Sequence, residues 1–201
     1  NAFVARLHLM LLLTLKGTPF LYNGEEIGMS DFIIDDPRRF RDPLSLLYAA
    51  LDRKVMGSDE KTAIFTGAVM GRDRNRTPMQ WSDAPNGGFC PAGVEPWLPV
   101  NPDYGSGVNV STQEGDSGSL LKFYRTLIKL RKQCSPLQTG EYQEINAENE
   151  DVLVFRRWDE SGNYTVALNF CDTEQRVHLP YKAGMGLFSN IFHAQVIYSD
   201  V

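Results

Sequence analysis

"GTPFLYNGEEIGM", residues 17–29, decides how the rest of the chain is read. Gly17 and Pro19 stop any helix that precedes them, because proline lacks the amide hydrogen a helix needs and glycine closes its last turn. Phe20–Tyr22 is a short apolar run closed by Asn23-Gly24, and it reads as a buried strand. Upstream, residues 2–15, "AFVARLHLMLLLTL", are apolar on most sides, which predicts a helix buried inside a large protein. A helix leading into a buried strand is one piece of an α/β layer fold. Glu25 and Glu26 stand just beyond the strand end, where open sheets and barrels bind their ligands. Two readings of these carboxylates stay open. Either one pairs with an arginine and holds the loop, the commoner arrangement, or they face a bound molecule.

Residues 30–42 read as a charged loop, and two helices are predicted after it. "PLSLLYAALDRKVMG" places Pro43 in a first turn, and "SDEKTAIFTGAVMG" has Ser58 as its N-cap. Residues 82–116 are rich in glycine and proline and show little periodicity, which suits a long functional or linking loop. Asp116 to Cys134 carries the clearest helical pattern. Leu120, Leu121, Tyr124, Leu127, Ile128 and Leu130 form one face, and basic residues gather near the end, where the helix dipole favours them. Ser135-Pro136 stops that helix. Beyond it the period changes: "DVLVFRRW", "NYTVALNF" and "QRVHLP" read as strands separated by turn clusters, so residues 137–201 are predicted to form a small antiparallel β domain.

Between these regions lies "GRDRNRTPMQW", residues 71–81. Arg72, Arg74 and Arg76 alternate, and periodicity alone does not separate their roles. A guanidinium is a planar fork of donors that stays charged at any working pH, so it suits a carboxylate or a pair of neighbouring hydroxyls. A solvated charged loop is the plainer alternative for at least one of the three. Trp81 and Trp97 either anchor their loop, the commoner case, or stack on a sugar face.

Composition narrows the class. The 201 residues are 42% hydrophobic with a formal net charge of -5, enough for a sizeable core and too acidic for a nucleic-acid footprint. The apolar run Leu9 to Leu13 is too short to span a bilayer, and no cleavage site follows it. Cys90, Cys134 and Cys171 are far apart and odd in number, which points to free thiols in a reducing, cytoplasmic compartment; the sequons at Asn109 and Asn163 are then chance matches. His8, His178 and His193 stand apart from other ligand types, so no metal is expected, and no phosphate loop, dinucleotide fingerprint or other cofactor motif is present.

The two quoted blocks carry a more specific signal. "GTPFLYNGEEIGM" resembles the final barrel-strand motif of the α-amylase superfamily (glycoside hydrolase family 13). "GRDRNRTPMQW", with "NGGF", "PWLPVNPDY" and "NV" after it, resembles one branch of that superfamily. The branch holds α-glucosidases, oligo-1,6-glucosidases, dextran glucosidases, trehalose synthases and sucrose isomerases. The resemblance covers nearly the whole chain, including the helix ending "LIKLRKQ".

The resemblance implies an α/β plus all-β architecture: the C-terminal part of a (β/α)8 barrel in residues 1–136, then a small, incomplete β-sandwich in residues 137–201. Residues 2–15 then resemble the seventh barrel helix and residues 19–23 the eighth strand. Arg72 matches the arginine that reaches the glucose at the cleavage subsite, where it pairs with an Asp from an early barrel loop. Arg76 is implied to brace the loop and Arg74 to face solvent, while Glu25 and Glu26 support the site. The family is retaining and uses an Asp nucleophile, a Glu acid/base and a second Asp on strands four, five and seven. All three lie upstream of Gly17, and the chain begins with Asn, so it is expected to be a fragment that supplies sugar-binding residues and no catalytic ones. Asp35, Asp36 and Asp42 are not substitutes. The implied parent is an α-glucosidase acting on α-glucoside oligosaccharides, and the isolated chain is expected to be inactive. Two alternatives remain: a transferring or isomerising relative, and a non-enzymatic partner resembling the heavy subunits of amino-acid transporters.

Overall fold

The computed structural model describes residues 2–146, 148–177 and 179. They fall into two compact units, one of the described residues up to 21 together with those from 122 onward, and the other of residues 22–121.

The first unit pairs two helices with a small sheet. α1 (Ala2–Thr14) is apolar nearly all round, as its sequence predicts, and buries Leu7, Leu9, Met10 and Leu13. These meet Tyr124 and Leu127 of α5 (Leu120–Gln133) and Phe155 and Leu168 of the sheet. After the one-turn helix α6 (Ser135–Gln138), three strands, β1 (Glu141–Ile145), β2 (Val152–Asp159) and β3 (Gly162–Asn169), form an antiparallel sheet in the order β1-β2-β3. The register sets Tyr142 opposite Arg157 and Phe155 opposite Val166. Alternation along β2 sends Phe155 and Arg157 to one face and Val152 and Val154 to the other, where they pack with Ile145, Val177 and Leu179. The β2–β3 turn is held by Asp159, whose Oδ1 accepts from the Ser161 amide and hydroxyl at 2.7 and 2.6 Å.

The second unit is built from short helices and turns. α2 (Pro43–Leu51) continues into one π-helical turn, Asp52–Met56, and packs against α3 (Glu60–Met70). The small residues Ser45, Ala49 and Gly67 allow the close approach. One core gathers Ile34, Phe40, Ala68 and Leu98; another gathers Ile27, Met79 and Leu121.

Several expectations are corrected here. Phe20–Tyr22 is not a strand: a strand exists through its ladder partner, and none of the described residues pairs with this segment. Phe20 is accordingly 84% exposed. The N-cap of α3 is Asp59, not Ser58, because the Asp59 carboxylate accepts from the Thr62 amide at 2.8 Å. The helix expected from Asp116 begins at Leu120, since Asp116 Oδ1 instead accepts from the Gly118 amide at 2.8 Å in a turn of its own. Within the stretch read as a loop, Asn109 caps a short helix, α4 (Val110–Gly115), by accepting from the Thr112 amide at 2.7 Å. Asn109 is fully buried with its Nδ2 donating to the Tyr104 carbonyl, which closes that sequon to a glycan. Of "QRVHLP", residues 175–177 and Leu179 lie outside any strand; His178, Pro180, His193 and the rest of the implied sandwich lie outside the described residues.

Candidate functional site

The two motif blocks come together in the second unit. Gly24 and Gly28, at φ 95° and 74°, flank a single helical turn, Glu25–Ile27, in the left-handed conformation that glycine adopts without strain. At Gly24 there is no room for a side chain in any case: a Cβ would sit 2.6 Å from Met29 Sδ. The turn delivers Ile27 onto Met79, and Asn23 Nδ2 donates to Met79 Sδ at 3.8 Å. "YNGEE" is thereby fastened to "TPMQW". Glu25 Oε2 accepts from the Tyr22 amide at 3.2 Å and Glu26 Oε2 from the Gly24 amide at 2.8 Å. Both carboxylates close their own turn, so the arginine pairing left open above is not the arrangement found.

Residues 77–80 are buried beneath the second block. Gln80 is its floor: Nε2 donates to Asp103 Oδ1 and to the Val108 carbonyl, both at 2.6 Å, and its backbone carbonyl accepts from the Val110 amide. Above it the three arginines diverge. Arg74 does not face solvent freely: it is half-buried, and its Nη1 lies 3.2 Å from Asp31 Oδ2 because residues 31–32 run alongside, with the Phe32 amide donating to the Arg74 carbonyl. Arg76 meets Trp97 through its backbone. Its carbonyl accepts from Trp97 Nε1 at 3.2 Å, while its exposed guanidinium makes no hydrogen bond among the described residues. Trp97 is further held by Arg41, whose Nε donates to its carbonyl, and by Phe89, 5.6 Å away in a tilted ring pair. These contacts hold Trp97 within the unit, and 58% of it stays exposed. Trp81 is 51% exposed.

Arg72 is the most tightly defined of the three. Its backbone amide and Nε donate to Asp42 Oδ2 at 2.9 and 2.8 Å, and Nη2 donates to Oδ1 at 3.0 Å. The Asp42 carboxylate is almost wholly buried, at 1% exposed, whereas the Arg72 side chain is 51% exposed. Arg72's guanidinium holds the Asp42 carboxyl far below the ordinary carboxylate range. Asp42 also caps α2 by accepting from the Leu44 amide at 3.1 Å. Beneath it, buried Asp73 accepts from the Asp42 amide at 3.0 and 2.9 Å and from the Arg41 amide at 2.7 Å. The sequence marks Asp42 only as no substitute for a catalytic acid, and it does not mark Asp73 at all. Asp42-Pro43 at a helix start is a readable cap signal, but Asp73 carries none, since only folding sets it under Asp42.

A family model described as the α-amylase catalytic domain matches residues 2–140. The chain belongs to the α-amylase family. Within it, the chain is 34% identical over 166 residues to an oligo-1,6-glucosidase of Halalkalibacterium halodurans, spanning 83% of this chain and 29% of that protein. It is 33% identical over 203 residues to a glucan 1,6-alpha-glucosidase of Streptococcus pneumoniae, spanning 100% of this chain and 36% of that protein. The trehalulose synthase MutB from Pseudomonas mesoacidophila superposes with a TM-score of 0.71 at 33% identity, over 84% of this chain and 30% of that one. The chain thus spans about a third of the length of these family members. Likeness to the solved structures implies the family's (β/α)8 barrel fold.

Proposed function

We propose that the chain is the C-terminal part of a retaining glycoside hydrolase that releases terminal α-linked glucose from oligosaccharides. In this reading residues 1–136 belong to the catalytic barrel and residues 137–201 to a small β-sandwich, in a cytoplasmic protein. The observation that carries it is the half-exposed Arg72 guanidinium, fixed on a buried carboxylate in the unit where both family motifs meet. Such a guanidinium suits a pair of sugar hydroxyls. Glu25, Glu26 and Arg76 support the site by holding its turns. The catalytic carboxylates come from elsewhere in the barrel. A general acid needs a raised pKa, whereas two carboxyls here are shifted the other way: hydrogen bonds from Arg38 lower Asp36 to about 2, and those from Arg72 lower Asp42.

The test is turnover of 4-nitrophenyl α-D-glucopyranoside by the full-length gene product that carries this chain, with the first-formed anomer read by proton NMR. α-Glucose first is expected. No turnover, or β-glucose first, overturns the reading. The likeness to a trehalulose synthase favours an isomerising relative as the second reading. Sucrose converted to an isomer in place of free hexoses would select it.

A further inference from the structure

We propose that Asp42 is a positioning residue for sugar binding, acting through Arg72 to set which edge of the guanidinium faces outward. The inference rests on the reading of Arg72 as the sugar-binding arginine.

A guanidinium has two edges with paired donors and one plane. Asp42 takes the edge formed by Nε and Nη2, at 2.8 and 3.0 Å. Among the described residues this leaves the edge carrying Nη1, whose two N–H groups, with the second N–H of Nη2, suit oxygen acceptors such as the early-loop carboxylate that the resemblance implies and a sugar hydroxyl beside it. The backbone of Arg72 is tied to the same carboxylate oxygen as Nε, so the side chain is held at both ends. Asp42 is itself restrained: Oδ1 caps α2 at Leu44, and its amide donates to both oxygens of buried Asp73. An arginine ordered before the ligand arrives does not lose its rotamer freedom on binding.

The test uses the full-length gene product with 4-nitrophenyl α-D-glucopyranoside. Asp42→Asn keeps a capping oxygen for Leu44 but removes the charge that grips Arg72, and Asp42→Ser is a second variant that still caps. Both are expected to raise KM roughly 10-fold with kcat within about 3-fold, the split for lost binding rather than lost chemistry. Arg72→Lys should raise KM as well, and Asp42→Asn added to Arg72→Lys should cost little more, because the two act as a unit. Asp36→Asn, the same change in the exposed pair with Arg38, should leave both parameters unchanged. If Arg72→Lys raises KM while both Asp42 variants match wild type, this inference falls and the reading of Arg72 stands. If Arg72→Lys leaves KM unchanged, or the wild type turns nothing over, the functional reading fails and takes the inference with it.

Discussion

Nη1 of Arg157 donates to the Thr14 carbonyl at 2.7 Å, joining a strand to the end of a helix 143 positions earlier. Nε and Nη2 of the same side chain reach the carbonyls of Glu141 and Gly140, both at 3.2 Å, and no part of Arg157 is exposed. Arg131 does the same work beside it, donating to the carbonyls of Leu13 and Gly17. Burial pushes both guanidinium pKa values down, but arginine starts so high that the charge persists. The two cations satisfy carbonyls at the negative end of the α1 dipole, which have no partners within the helix.

Arg157→Met should therefore strand two buried carbonyls and a part-buried one and destabilise the unit by about 2–5 kcal/mol, read as a drop in the urea midpoint. Arg157→Lys should recover little, because an ammonium cannot reach three acceptors in a plane. A lysine variant with the wild-type midpoint would contradict this account.

Gly67→Ala should destabilise the α2–α3 pair. The added methyl would lie 2.9 Å from Ala49 Cβ and press on the Ser45 carbonyl, which is backbone and cannot rotate away. A helix-interior alanine gains about 1 kcal/mol over glycine. The overlap should outweigh it, for a net loss of about 1–3 kcal/mol in thermal or urea unfolding. A more stable variant would mean that the helices separate at no cost.

The Asp42–Arg72 pair should make stability depend on acid. Asp42 has its folded pKa lowered, first by the Arg72 side-chain hydrogen bonds, relative to an unfolded value near 3.9. The stability it contributes is thus fully present above that pH and is lost as pH falls below it. Asp42→Asn should lower the urea midpoint at pH 7, and its gap from wild type should close as the pH drops below about 4. A gap that stays constant with pH would show that packing, not charge, sets the effect.

Glu141→Gln, by contrast, should leave the urea midpoint close to wild type, because an exposed ion pair contributes little. The ion pair it breaks, with Lys16 at 2.9 Å, leaves the two side chains 52% and 66% exposed. Raising the salt concentration should weaken the wild type by no more than the variant loses. A larger effect would point to the Glu141 side chain ordering the backbone carbonyl that Arg157 uses.

Much of the secondary structure was legible because its cause is local. α5, β2 and β3 follow from an apolar period, α1 from a run that is apolar on most sides, and α2 and α3 from their first-turn residues, while Pro43 and Ser135-Pro136 mark boundaries by chemistry confined to a few residues. The errors at Ser58 and Asp116 are competitions between neighbouring capping groups, decided by which carboxylate reaches which amide. Phe20–Tyr22 was misread for a different reason: its apolar character is local, but strand pairing belongs to two segments at once. In the candidate site, Arg72 stood out by its motif. The resemblance implied that Arg74 faces solvent, and nothing in its own block marks Asp31 as its partner.

By itself the sequence determined which segments coil or extend and the two motif blocks that place the chain in the α-amylase family, since both are properties of contiguous residues. Only the tertiary structure decided that Asp42 sits under Arg72, 30 positions away, that Asp73 pins Asp42 from below, and that Arg157 closes the end of α1. Those contacts depend on where separate elements come to rest, and the free energy that selects them appears only once burial has removed water from both partners.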